Sequence, residues 1–328
     1  MKKHRWVGCS MLLSMVVAVS LCQGGEANLA SSLKRSFSLE RRKALTQPRY
    51  YRIACRYTNL SDVKGGMIGR LLVSGDFTRR AVGSRQDGCI LDEFRWKNLQ
   101  VTTLSLKDGT PENTRPLPFA EDFTYTICFE NNYGDVSEEL NRVFDRSKLP
   151  ATLDGFLFFE QMVDAHSPAD ITLIRRRGVV QGLTAVGKES SVPEGPEPGI
   201  LDFRPFGYFK FYPTPETKTH VRFTGLTVLD GQVAAVLDIG GINTPVIFDI
   251  SMKMGNQTIE LKAMTQFWSQ MLFSVEEQLP LRSTMIERTD NIGHCQSPGN
   301  LASGTLRQIE LYRISEAEFK AGTGRAEP

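Results

Sequence analysis

Asp164-Ala165-His166, with Asp170 close behind, is the densest grouping of metal-ligand and acid–base residue types in this chain. A metal site or a general acid–base pair needs an imidazole and carboxylates converging on one point. The group closes an apolar helical pattern beside Pro168, where polar residues ordinarily gather, so a helix terminus is the simpler reading. His294-Cys295 has the residue types of a Cys–His dyad. Adjacent residues seldom aim their side chains at each other, however, and a disulfide-bonded Cys295 could not attack a substrate. His220 opens a strand pattern after a Pro-rich turn and reads as turn chemistry. Gly240-Gly241 after Asp238 resembles a phosphate loop until one notes that no helix pattern follows. There is no G-x-S-x-G elbow, H-E-x-x-H, Walker A loop or EF-hand spacing. Carboxylates are plentiful, so a glycosidase-type pair stays open, because sequence does not measure its separation. The residues favour a non-enzymatic protein with no cofactor and no metal.

The first 27 residues differ from the rest. Lys2, Lys3, His4 and Arg5 form a basic head, Met11 to Leu21 an apolar run, and Gly24, Gly25 and Ala27 a small-residue stretch. The run falls far short of the roughly 20 apolar residues of a membrane span, so it reads as a secretory signal peptide cut after Ala27. Val19-Ser20-Leu21-Cys22 offers a second route, lipidation at Cys22, although Leu21 is bulky where a small residue is expected. Removing the leader takes three of the 39 Lys+Arg and one of the 37 Asp+Glu, and the exported chain is formally neutral. Such a chain has no general attraction to nucleic acid. Its local basic clusters are Lys34, Arg35, Arg41, Arg42, Lys43 and Arg49, in an arm over 28–49 expected to be mobile, and Arg175 to Arg177. An anionic membrane surface is the alternative partner for such clusters, at ~1 kcal/mol per basic residue. Export also leaves Cys55, Cys89, Cys128 and Cys295. In an oxidising compartment these invite disulfides with three possible pairings, free buried thiols being the alternative.

The elements that must position these residues are mainly β. Over 50–186, "YYRIACRYTN", "MIGRLLVSGDFTRRA", "ILDEFRWKNLQVTTLSL" and "DFTYTICFEN" read as strands. Helices are expected near 136–146 and 153–166, the second apolar nearly all round. Segment 187–199, rich in Pro, Gly and Glu, reads as a linker or loop. From 200 to 315 the strand rhythm is strong. Asp230-Gly231 suits a type I′ turn, Gly255-Asn256 a second tip, and "WSQMLFSVEEQLPLRSTMIE" a third hairpin; 316–328 is a tail. The fold class is therefore β-rich α+β, built from antiparallel meanders that can curve into a half-barrel over two or more packed helices. Val246, Phe248, Ile250, Met252 and Met254 share one face of their strand, and Met271, Phe273 and Val275 share one face of the next, opposite Trp268 and Leu272. Strands apolar on both sides border a covering helix or a cavity, which makes Phe248, Ile250, Met252, Met271 and Phe273 the candidate surface for a hydrophobic ligand.

Strands 221–288, with the turn Leu279-Pro280-Leu281-Arg282 before the last, resemble the sheet of LolA/LolB/LppX-type bacterial envelope lipoprotein and lipid carriers. In that family an unclosed antiparallel half-barrel folds over helices. The resemblance implies a periplasmic or cell-envelope protein that carries a lipid or acyl ligand on the inner face of its sheet. A structural module that binds another envelope protein is the alternative, and an exported hydrolase ranks third.

Overall fold

The structure is a computed structural model. It describes residues 36–39, 43–61, 67–86, 88–128, 140, 148–166, 182–192, 199–202, 206–212, 219–240, 246–254, 257–295 and 299–322. The strands are β1 (Arg49–Ser61), β2 (Met67–Ser84), β3 (Ile90–Leu104), β4 (Pro111–Pro116), β5 (Thr124–Ile127), β6 (Glu189–Val192) and β7 (Gly199–Asp202). They continue as β8 (Gly207–Tyr212), β9 (Thr219–Leu229), β10 (Gln232–Gly240), β11 (Val246–Met254), β12 (Gln257–Ser274), β13 (Pro280–Cys295) and β14 (Gly299–Ile314). Among the described residues the α-helices with defined bounds are α1 (Leu153–His166) and α2 (Glu316–Ala321). The protein is thus mostly β and antiparallel, as its alternation and turns predict. The second expected helix forms at 153–166; the first, near 136–146, lies outside the described residues except for Leu140.

All fourteen described strands belong to one sheet that is not closed into a barrel. Its main path runs β4-β3-β2-β1-β14-β13-β12-β10-β9-β6. The first long strand pairs with the last, from Tyr50 opposite Ile314 to Ser61 opposite Ser303. The segments that the sequence separates at 187–199 therefore share one sheet, and β6 forms within the expected loop by pairing with β9. At β12 the sheet branches. Gln257 to Thr265 pairs with β11, while Trp268 to Ser274 pairs with β10. From β11 the branch continues through β8 to β7.

The turns account for the meander. Asp230 (φ 48°) and Gly231 (φ 74°) both take the left-handed conformation a type I′ turn requires, joining β9 to β10 in a two-residue loop. At the third hairpin the Gln278 amide donates to the Ser274 carbonyl at 2.9 Å, and the Ser274 amide to the Leu279 carbonyl at 2.9 Å. Gln278 also reaches back to the Ser38 carbonyl. Parts of the arm over 28–49 are held against the fold. The Phe37 amide donates to the Thr184 carbonyl at 2.7 Å, Leu39 is fully buried, and Arg49 pairs with Glu277.

One face of the sheet is apolar. Tyr51, Ile53, Cys55 and Tyr57 of β1 line it, as do Ile309 and Leu311 of β14 and Met271 and Phe273 of β12. Helix α1 packs on the β1–β3 half through Phe158, Phe159 and Met162. Gly155 lets the preceding turn fold against the start of α1, since a Cβ there would lie 1.9 Å from the Pro150 carbonyl oxygen. Over the β9–β12 half the covering residues include Leu39 and Leu183.

Cys89, just before β3, is bonded to Cys128, just after β5, across a sequence separation of 39 and a Cα–Cα distance of 6.1 Å. Alternation in "FTYTICFEN" puts Cys128 opposite Tyr125 and Ile127, but it does not say which of the remaining cysteines lies within reach. Replacing both bonded cysteines by serine is expected to cost about 2–4 kcal/mol of stability, measured by urea unfolding. An unchanged midpoint would mean that the β3–β5 register alone holds this corner.

Candidate functional site

The apolar face carries one concentrated polar group. Antiparallel register sets Tyr57 of β1 opposite Arg307 of β14, and Arg307 opposite Glu287 of β13, so the three form a row across the sheet. Above them, Glu160 and Asp164 stand one turn apart on α1 and share a helix face. The guanidinium bonds Asp164, pairs with Glu287 at 2.6 Å and lies 3.5 Å from Glu160. The Tyr57 hydroxyl donates to Glu160 at 2.6 Å, and the guanidinium carbon sits 5.4 Å from the Tyr57 ring centre. Side-chain exposures of 13% for Arg307, 4% for Asp164, 12% for Glu160 and 16% for Glu287 place the cluster inside the protein.

Three carboxylates thus surround one cation with little water to screen them. Burial pushes Asp164 up to about 7 against the pull of Arg307, with Glu160 adding to the rise. Burial likewise raises the Tyr57 hydroxyl and the Cys55 thiol, which keeps both neutral. Arg307 is held fully charged by the acids despite its burial. The group can therefore hold a proton near neutral pH while fixing α1 to the sheet. It does not present an open pair of acids to a substrate.

At the end of α1, His166 shares a 2.7 Å hydrogen bond with the Tyr125 hydroxyl and meets the Phe94 ring edge-on at 4.4 Å. Burial, with Arg79 nearby, drives its pKa well below the usual imidazole value, so it is neutral. Asp164 and His166 therefore do not converge: one belongs to the Arg307 cluster and the other to an aromatic cluster. Asp170 lies outside the described residues, and no group of three His, Cys, Asp or Glu residues suited to a metal occurs among those described.

Of the candidate ligand surface, Met271 and Phe273 are 0% exposed and pack in the core beneath β10 and β12. Phe248, Ile250 and Met252 sit on β11 opposite Ala263, Leu261 and Ile259 of β12; their side chains lie outside the description. Cys55 is a buried free thiol. Cys295 ends β13 opposite Ile259, with its side chain undescribed, and Cys22 lies outside the described residues. His220 pairs with Glu189 at 3.0 Å on the surface. Gly240 ends β10 against Trp268.

Sequence reasoning missed Arg307, Glu160, Glu287 and Tyr57. A signal was present. In "GTLRQIELYRI" Arg307 and Arg313 alternate onto the face of Ile309 and Leu311, and Glu160 and Asp164 stand one turn apart in a largely apolar helix. Arg313 meets its own half-buried acid, Glu277, at 2.5 Å.

No family profile matches this chain, and no curated protein is similar to it in sequence. Among solved structures, an anion-selective porin from Comamonas acidovorans aligns with 82% of this chain and 99% of its own length, at 10% identity and a TM-score of 0.18. That likeness is too slight to carry an argument.

Proposed function

We propose that this is an exported, non-enzymatic protein of the bacterial cell envelope that binds a lipid or acyl ligand between the apolar face of its open sheet and helix α1. The observation that carries the reading is the largely apolar face of an unclosed antiparallel sheet, covered on one half by helix α1 and tied to it by the Arg307 cluster. Unclosed sheets of this kind under helices are what the LolA/LolB/LppX resemblance implies, and the Cys89–Cys128 bond suits an oxidising compartment. Met271 and Phe273 pack under Leu39 and Leu183, away from α1, so the ligand lies where Phe158, Phe159 and Met162 meet the β1–β3 half and enters by displacing α1. Delipidated protein is expected to bind a fluorescent fatty acid saturably and to carry lipid in native mass spectra after expression. A chain that arrives free of lipid and takes up neither probe would sink the idea.

The filling of the β9–β12 half by Leu39 and Leu183 favours a second reading, a structural module whose partner is another envelope protein. Crosslinking in cells then yields one specific protein partner and no lipid.

A further inference from the structure

Arg56 and Arg70 lie on the face of the sheet opposite α1. Thr58 faces Arg70 and Arg56 faces Leu72 across β1 and β2, so the arginines are diagonal neighbours, about 7–8 Å apart by ordinary strand geometry. Both are half-buried, and the Nε atom of each is sealed from solvent with no acceptor. The other buried or half-buried arginines among the described residues all reach a carboxylate: Arg52 reaches Asp76, Arg79 reaches Asp92, Arg49 and Arg313 reach Glu277, and Arg307 reaches Asp164. Among the described residues, Arg56 and Arg70 reach none. Glu310, diagonal to Arg56 across β14, makes no ion pair with it.

Two like charges side by side and partly withdrawn from water repel each other unless an anion joins them. The surroundings are shaped to keep Arg70 in place. The turn at Gly109 (φ 76°) closes against its guanidinium, and a Cβ there would stand 2.9 Å from Nη1. Thr58 is the residue directly opposite Arg70 on this face, and Lys107 is exposed on the same turn as Gly109. Two arginines on neighbouring strand positions, with Thr58 next but one to Arg56 and opposite Arg70, supply guanidinium forks and a hydroxyl of the kinds that bind the acceptor oxygens of a tetrahedral oxyanion.

We infer that Arg56 and Arg70 form a binding site for a phosphate-type oxyanion, either free or as the headgroup of an anionic phospholipid. The site stands on the sheet face away from α1, and its existence does not depend on the apolar-ligand reading. Inorganic phosphate titrated into the full chain, in a low-salt buffer without other oxyanions, should occupy one saturable site by calorimetry and shift arginine Nε–H resonances. R56Q and R70Q should each weaken binding at least tenfold, while R282Q, an exposed arginine elsewhere on the same face, leaves it unchanged. Co-sedimentation with phosphatidylglycerol vesicles but not phosphatidylcholine vesicles, lost in R56Q and R70Q, assigns a lipid headgroup. Phosphate binding without vesicle retention assigns the free ion. Thermal melts of each variant separate lost binding from lost folding. Wild-type protein that binds neither probe, or binding that R282Q weakens as much as R56Q and R70Q do, overturns the inference.

Discussion

Replacing Arg307 by Gln is expected to cost about 3–5 kcal/mol of folding stability at neutral pH. The variant keeps a polar side chain of shorter reach but strands Asp164, Glu160 and Glu287 without their cation. Its pH dependence follows from Asp164. The folded protein holds that proton up to about 7, whereas an unfolded Asp releases it near 3.9. Between those values the folded state binds the extra proton, so this group's stability is fully present below about 4 and is lost as pH rises to about 7. Asp164→Asn, which mimics the protonated acid, should flatten the curve across that window. Arg307→Gln should be worst at and above neutrality and should recover in acid, as its stranded carboxylates take up protons. Urea midpoints measured from pH 4 to pH 9 for the three proteins check this. A loss under about 1 kcal/mol that does not vary with pH would mean that water already reaches the cluster and that it does not lock α1.

The contrast with Glu277 sharpens the sign. Burial pushes Glu277 up as well, but the hydrogen-bonded cations Arg49 and Arg313 outweigh it and its pKa is lowered. Its stabilising effect therefore runs the other way, present above about 4 and lost in acid. A carboxylate with two cations titrates low, and three carboxylates sharing one cation include one that titrates high.

Local pattern made most of the architecture legible. The Asp230-Gly231 turn, the α1 stretch and the alternation of Cys55 with Tyr51, Ile53 and Tyr57 each follow from interactions over a few residues. The joining of β1 to β14 does not, because nothing within either strand names a partner some 250 positions away. That same pairing creates the candidate site, since Tyr57, Arg307 and Glu287 become neighbours only through the β1–β14–β13 register. Prolines and glycines make the segment 187–199 read as a linker or loop, yet Glu189 to Val192 carries none of either and pairs with β9. The arm over 28–49 misled for a related reason. Its basic residues suggest solvation, but Phe37 and Leu39 among them supply core contacts.

Phe158→Ala should be the other large loss, about 3–5 kcal/mol. Phe158 is fully buried on α1, with its ring edge-on to Trp96 at 5.5 Å and to Phe123 at 5.2 Å, and with Phe119 at 5.9 Å. Truncation empties a position walled by three aromatic rings fixed by the β3 framework, so little can collapse into it. Leu153→Ala, at the exposed start of the same helix, should change stability by less than about 0.5 kcal/mol. How the Phe158 loss is distributed bears on function. If α1 is a roof that can lift from a sheet that stays folded, hydrogen exchange in F158A should quicken over 153–166 while β1, β13 and β14 keep their protection, and fatty-acid uptake should become faster. If exchange instead rises equally in helix and strands, α1 is an inseparable part of one core, no ligand enters beneath it, and the module reading takes precedence.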